Sequence, residues 1–362
     1  MRYSSIDILR TLSIVIMVLV HFCENLAGIT PKVAGIGAPM FMFLSGVSYR
    51  LWLNGRTTRQ LNSDSINKIT TRRGLFLIGL GFLFNVLVWM PEDVFNWDVL
   101  TLIGTGMVCL GMVRQSPPFL IWFACGMIFL ISPVLRQLAD WEAYWANGYF
   151  DPDFTMRDLW QGFLAVGYFP VFPWLLFPLL GFSVGTLTFG EKSNPPKSSV
   201  LLRTCGVGFA LMGLAALAVA TRYLLADQFP ATWPKSWTMF PPSLEYLTGT
   251  IGWVLFAFGG AYWLVDLKMP PDSFKSLRNV TEQFSRRSLT AYLLHHVVHL
   301  WPLWLYAVWQ GQEPTYYWRQ ATDLSTALFL ATLFLVACYL FFSWLDRRKY
   351  PAVENLMRWL CD

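Results

Sequence analysis

The chain has 362 residues, of which 55% are hydrophobic, 17% aromatic and only 14% charged, with a formal net charge of +5. A soluble domain carries roughly a quarter charged residues, so this composition excludes an ordinary water-soluble fold. It predicts an all-α, polytopic membrane helix bundle, read as one integral-membrane domain over residues 1–362, with membrane lipid around it and no nucleic-acid partner.

Roughly twenty apolar residues span a bilayer. Ten segments meet that length within tolerance, at about 6–25, 33–53, 74–91, 98–114, 117–135, 168–189, 203–225, 248–267, 288–308 and 324–345. Cytoplasmic flanks of membrane helices are enriched in Lys and Arg. With the N-terminus inside, most of the 27 basic residues, Lys192 and Lys197 among them, fall on the inner side. Only Lys32, Arg136, Arg157, Arg222, Lys235 and Arg319 fall outside. Both termini are therefore expected in the cytoplasm. No small-residue cleavage signature follows the first apolar run, which reads as a retained helix. Cys23, Cys109, Cys125, Cys205, Cys338 and Cys361 show no paired spacing, so neither a disulfide framework nor a cysteine zinc site is expected.

The first segment, IDILRTLSIVIMVLVHFCEN from Ile6 to Asn25, carries Asp7, Arg10 and His21. Positions 7, 10, 14, 17 and 21 advance in steps of three or four, so these side chains share one helix face. Arg10 and His21 are about 16 Å apart at helical rise. Ionisable groups inside a membrane are costly and usually face a cavity or a partner. His21 is thus the candidate functional residue, on a polar path into the membrane core. Asp7 and Arg10 either join that path or simply pair at the interface.

Arg72 and Arg73 open the third segment from the inner side. A helix N-terminus already favours anions, and two guanidinium groups there suit a phosphorylated cytoplasmic ligand. The runs Gly79-Leu80-Gly81, Gly104-Thr105-Gly106 and Gly259-Gly260 let helices approach closely; none follows a strand, so no phosphate fingerprint is read from them. Acidic residues such as Glu92, Asp93, Asp140 and Asp158 lie in the outer loops. The longest of these, about 136–167, mixes Trp, Tyr and Asp, as either an interfacial aromatic belt or a sugar-binding surface would.

The other three histidines, His295, His296 and His299, all lie in the ninth segment. Ser288, Tyr292, His295 and His299 share a face, while His296 is rotated from it by about 100°. His295 lies about 10 Å in from the cytoplasmic start of the helix. His295 and His299, at i and i+4, can ligate zinc, but the pattern lacks the protease glutamate and an obvious third ligand, so no metal is expected. The C-terminal DRRKYPAVENLMRW reads as a basic interfacial tail for anionic lipid.

The run RYSSIDILRTLSIVIMVLVHF followed by APMFMFLSGVSYRL resembles the opening of the transmembrane acyltransferase superfamily. It is closest to bacterial relatives of heparan-alpha-glucosaminide N-acetyltransferase. WDVLTLIGTGMV (97–108), FPWLLFPLLGFSVG (172–185) and RRSLTAYLLHH (286–296) follow in the family's order. The resemblance implies a bundle of about ten helices in the bacterial inner membrane. Such a protein moves an acyl group, usually acetyl, from cytoplasmic acyl-CoA to a carbohydrate on the far side, a cell-envelope or lipid-linked glycan. It is also compatible with a homodimer. The family's polar first-helix position falls on His21, its Asp and Arg on Asp7 and Arg10, its later histidine on His295, and its basic third-helix start on Arg72 and Arg73. Two features depart from the pattern. Asn25 stands where many relatives carry a carboxylate, with Glu24 one residue earlier, and the loop after the first helix lacks a histidine.

The implied chemistry is acyl transfer with acetyl-CoA as donor substrate, its nucleotide end on Arg72, Arg73 and Arg10. His21 is then the general base or a covalent acyl carrier. His295 or Tyr292 would donate a hydrogen bond to the oxyanion, and Asp7 would hold Arg10. Two other readings use the same residues: a proton-coupled transporter or flippase-like protein, and a non-catalytic partner in envelope synthesis.

Overall fold

The computed structural model describes residues 2–89, 93–190, 198–225, 237–270 and 273–362. Glu92, Lys192, Lys197 and Lys235, placed above by charge, lie outside them, as do residues 90–91 of the third apolar segment. The chain is an all-α, polytopic membrane protein, and no strand occurs among the described residues. Among the described residues, seven helical stretches are long and apolar enough to cross a membrane: Ser4–Ala27, Ser63–Val88, Pro118–Leu138, Met156–Phe189, Ser198–Leu224, Leu244–Lys268 and Leu324–Arg348. Each of the other three apolar segments also holds a helix, one of them the shorter Val99–Val113. The chain divides into two compact units.

The first unit comprises Met1–Phe41, Leu264–Leu360 and Asp362. It contains α1 (Ser4–Ala27), the start of α2 (Ala34–Thr58), and four later helices, which we number α12 (Lys275–Arg286), α13 (Ser288–Trp309), α14 (Leu324–Arg348) and α15 (Val353–Cys361) in chain order. Ile14, Val18, Phe22 and Leu26 form a stripe along α1 at steps of four. They pack with Phe284, Ala291 and the α14 seam of Ala327, Ala331, Phe334, Cys338, Phe342 and Leu345. Steps of four on α1, and of three and four on α14, put these side chains on facing stripes, which makes α1 the central helix of the unit.

The ends of α1 are held by other parts of the unit. Tyr3 at its N-cap makes no side-chain cap. Instead, the Ser4 and Ser5 N–H groups donate to Asp266 at 2.9 and 3.1 Å. At the far end Gly28 adopts φ +66°, and a Cβ there would lie 2.7 Å from the Arg319 carbonyl oxygen. Only glycine accepts both the left-handed backbone and that approach. The Arg319 and Thr322 N–H groups donate to the Asn25 and Leu26 carbonyls at 2.7 and 3.0 Å, fixing the 310–322 loop to the helix end.

The second unit, Met42–Trp263 with Cys361, contains the rest of α2 and then α3 (Ser63–Val88), α4 (Val99–Val113), α5 (Pro118–Leu138), α6 (Trp141–Tyr144), α7 (Met156–Gln161), α8 (Val171–Trp174), α9 (Leu176–Phe189), α10 (Ser198–Leu224) and α11 (Leu244–Ala261). Its helix pairs meet backbone to backbone. A Cβ on Gly74 would lie 2.8 Å from the Gly104 carbonyl, and one on Gly208 2.6 Å from that of Gly252. The small-residue runs are used by halves: Gly81, Gly104 and Gly259 sit at such contacts, whereas nothing lies within 4 Å of a Cβ on Gly79.

The long loop at about 136–167 is folded. Phe150, Ala139, Ala165 and Val166 form a buried cluster against Trp97, Trp141, Tyr144, Trp145 and Tyr168, and Trp141 stacks on Trp145 at 5.1 Å. Tyr144 donates to Asp158, with the Gln161 side chain also at its hydroxyl, and burial together with that carboxylate pushes its phenol up to about 12. Many of the loop's aromatic rings therefore pack on one another.

Candidate active site

The first unit brings His21 of α1 against three histidines of α13. The ring centroids of His21 lie 4.6 Å from His296 and 5.2 Å from His295, and His295 and His296 are 4.0 Å apart. His295, His296 and His299 are buried, and His21 is half-buried. One ring nitrogen from each of His21, His295 and His296 lies within 4.8 Å of the other two. His296 thus enters the cluster although its place on α13 is rotated from the Tyr292–His295–His299 face. Neighbouring positions about 100° apart flank a ring that projects between them from the packed helix.

Hydrogen bonds fix the protonation pattern. His295 Nδ1 bonds the Tyr292 carbonyl. A carbonyl only accepts, so Nδ1 carries the proton and Nε2 presents a lone pair. That Nε2 is buried and has no hydrogen-bond partner. The expectation that His295 donates to an oxyanion is therefore revised: the neutral ring has its only N–H on the Tyr292 carbonyl, and its inward nitrogen accepts. His299 likewise donates from Nδ1 to the His295 carbonyl. Its Nε2 accepts from Asn25 Nδ2 at 2.9 Å, and Asn25 Oδ1 accepts from Trp318 Nε1 at 3.1 Å. Both His299 nitrogens are thereby engaged, and Nε2, through Asn25, ties α13 to α1 and the 310–322 loop. Tyr292 is buried, with its ring 5.5 Å from that of His295.

The start of α13 is capped from the C-terminal helix. Arg287 at its N-cap makes no side-chain cap. The buried Glu354 carboxylate of α15 accepts from the Leu289 and Thr290 N–H groups and from the Thr290 hydroxyl. Arg287 instead pairs with Asp346. Both histidine-bearing helices thus take their N-terminal carboxylate from elsewhere in the unit: Asp266 for α1, Glu354 for α13.

The charged residues of the first helix sit apart from the imidazoles. Asp7 takes a bidentate bond from Arg2, at 2.6 and 3.1 Å, a partner the sequence reading does not name, and it also interacts electrostatically with Arg10. Arg10 donates to the Ser285 hydroxyl at 3.0 Å. Glu24 pairs with Arg319 at 3.1 Å, while Asn25, in the family's carboxylate position, serves His299.

In the second unit, Arg72 and Arg73 do not open a helix. α3 begins at Ser63, where the Asn62 side chain accepts from the Ser65 N–H. The two arginines lie about 14 Å further along at helical rise, beyond the first turn in which the helix dipole favours an anion. Arg72 is exposed. Arg73 lies over the Trp52 ring at 5.3 Å, as does Arg56.

Sequence reasoning missed His296, Asn25, Asp266 and Glu354. The signal available for Asp266 was a lone carboxylate in the apolar run WLVDL, and for Glu354 an acid in an otherwise basic tail. The sequence model of the family described as "Heparan-alpha-glucosaminide N-acetyltransferase, catalytic" matches residues 2–228. The match takes in Asp7, Arg10, His21, Arg72 and Arg73 and ends before α13. No curated protein matches the chain.

Proposed function

The chain belongs to the heparan-alpha-glucosaminide N-acetyltransferase catalytic family, and from that membership we propose that it moves an acetyl group from cytoplasmic acetyl-CoA to an extracytoplasmic carbohydrate. The acceptor is a cell-envelope or lipid-linked glycan, and the setting is a bacterial inner membrane with both termini in the cytoplasm. The observation that carries the reading is the meeting of His21 with His295, whose inward nitrogen is a buried, unpartnered lone pair.

An acceptor hydroxyl or amine attacks the thioester carbonyl carbon, and His21 takes its proton. The C–S bond then breaks, and the proton returns from His21 to the departing thiolate. The products are the acetylated acceptor and free CoA. His295 Nε2 stabilises the transient imidazolium of His21 by accepting its N–H. Tyr292, one turn before His295, is the candidate donor to the oxyanion. Arg10 at the inner end of the path, with Asp7 holding it, and Arg72 and Arg73 on their charge alone, are proposed to bind the nucleotide phosphates.

The test is His21→Ala in membranes supplied with labelled acetyl-CoA. Acetyl transfer to glycan should vanish while insertion and detergent-extracted yield stay at wild-type level. A variant with near-wild-type turnover would remove His21 from the mechanism. Mass spectrometry of envelope glycans with and without the protein identifies the acceptor by a mass difference of one acetyl group.

A further inference from the structure

Acetyl transfer as set out above uses the rings of His21 and His295, yet a third imidazole stands equally close. We propose that His21, His295 and His296 form a three-nitrogen site for a divalent transition metal of the zinc class. Their ring nitrogens already lie within 4.8 Å of one another. Three ligands of a tetrahedral zinc, at 2.0–2.1 Å from the metal, stand about 3.3 Å apart. Closing that gap takes roughly 1 Å of movement per ring, within the reach of side-chain rotation.

Two further observations point to a ligand. His295 Nε2 is fully buried without a hydrogen-bond partner, an arrangement that costs free energy until something accepts the lone pair. Its Nδ1–H rests on the Tyr292 carbonyl, the outer hydrogen bond that orients metal-bound histidines and raises their basicity. His299 is not a fourth ligand, because both of its nitrogens are engaged. Three neutral imidazoles leave one coordination position open. An all-imidazole set selects zinc, copper or nickel over calcium or magnesium, which require oxygen ligands. The sequence expectation of no metal rested on the missing third ligand of the His295–His299 pair; packing supplies it from α1 and from the neighbouring position on α13.

The metal ties up the lone pairs of His21 and His295, so it blocks acetyl transfer. This consequence rests on the function proposed above; the binding does not. The experiment uses the full chain purified in detergent, stripped with a chelator and titrated with Co2+ as the spectroscopic probe. A single equivalent should produce the visible bands of four-coordinate, nitrogen-ligated cobalt, and Zn2+ should bleach them. His296→Gln and His295→Ala should each weaken Co2+ binding by at least about tenfold, with elution volume and helical circular dichroism reporting the fold. Six-coordinate bands alone, sulfur-to-cobalt charge transfer, or unchanged binding in both variants would overturn the site, and the wild-type spectrum is decisive even if a variant fails to fold. Zn2+ should also inhibit acetyl transfer reversibly. If cobalt binds as expected while zinc leaves turnover untouched, the metal site stands and the catalytic assignment of His21 falls.

Discussion

Replacing Glu354 by alanine removes the cap on the helix that carries three of the four histidines. The carboxylate accepts from Leu289 N–H at 2.8 Å, Thr290 N–H at 3.0 Å and the Thr290 hydroxyl at 2.7 Å. Arg287, at the N-cap itself, offers no side-chain acceptor in its place. Losing an N-cap costs about 1–2 kcal/mol, and losing a partly buried charge at the positive end of a helix adds up to about 2 kcal/mol. The variant should therefore be about 1–4 kcal/mol less stable. Glu354→Gln keeps an oxygen for the N–H groups and loses only the charge, at about 1 kcal/mol. Thermal unfolding in detergent, followed by tryptophan fluorescence, should rank wild type above Gln above Ala. The Ala midpoint should fall by about 2–8 °C, at about 2 °C per kcal/mol for a chain of this size. Turnover should fall as well, since Tyr292 and His295 occupy the first two turns of α13. An Ala variant within about a degree of wild type, or a Gln variant as damaged as Ala, would refute the cap.

Three other outcomes follow from the same contacts. Asn25→Ala takes the donor from His299 Nε2 and the Oδ1 acceptor from Trp318 Nε1 and should destabilise the first unit by about 2 kcal/mol or more, read in the same thermal assay. Gly208→Leu places a side chain against the Gly252 carbonyl and should abolish a monodisperse elution peak. Gly213→Ala, on the same helix with nothing within 4 Å, should elute normally and unfold about 1 kcal/mol later. Arg72→Ala with Arg73→Ala should raise the KM for acetyl-CoA more than that for the acceptor, and equal rises would count against their docking role.

The helices were legible because membrane spans depend on runs of one residue class, and those runs survive any packing arrangement. The stripe Ile14, Val18, Phe22 and Leu26 can be read from spacing alone, as can the placement of Asp7, Arg10 and His21 on one helix. Spacing does not reveal which helix a face meets. Periodicity within α13 sets His296 aside, whereas packing of α1 against α13 brings it within 4.6 Å of His21. The start of α3 was misplaced for a related reason. Hydropathy marks where the apolar run begins, near Gly74, but the helix extends back through polar residues to the Asn62 cap, and that moved Arg72 and Arg73 away from its N-terminus. Asp266 and Glu354 act on helices far from them in sequence, so no local pattern announces the pairing.

The distribution of charge along α1 explains why imidazole is the residue at position 21. Full charges are kept toward the two ends: Arg2 with Asp7, and Arg10 on the Ser285 hydroxyl, at the start, and Arg319 with Glu24 at the finish. Between Arg10 and Glu24 the helix carries no Asp, Glu, Lys or Arg, and the α13 histidines bond carbonyls and an amide. A charged side chain in that interior costs several kcal/mol, whereas a neutral imidazole costs far less and still has both a proton to give and a lone pair to receive one. Lysine or aspartate at position 21 would bring either an uncompensated charge or a single fixed role. His21→Asp should therefore be poorly tolerated, and His21→Gln, neutral and of similar reach but unable to exchange a proton, should fold normally and fail to turn over. A His21→Gln protein that is both stable and active would show that the cluster's value lies in its shape and hydrogen bonds and not in proton transfer.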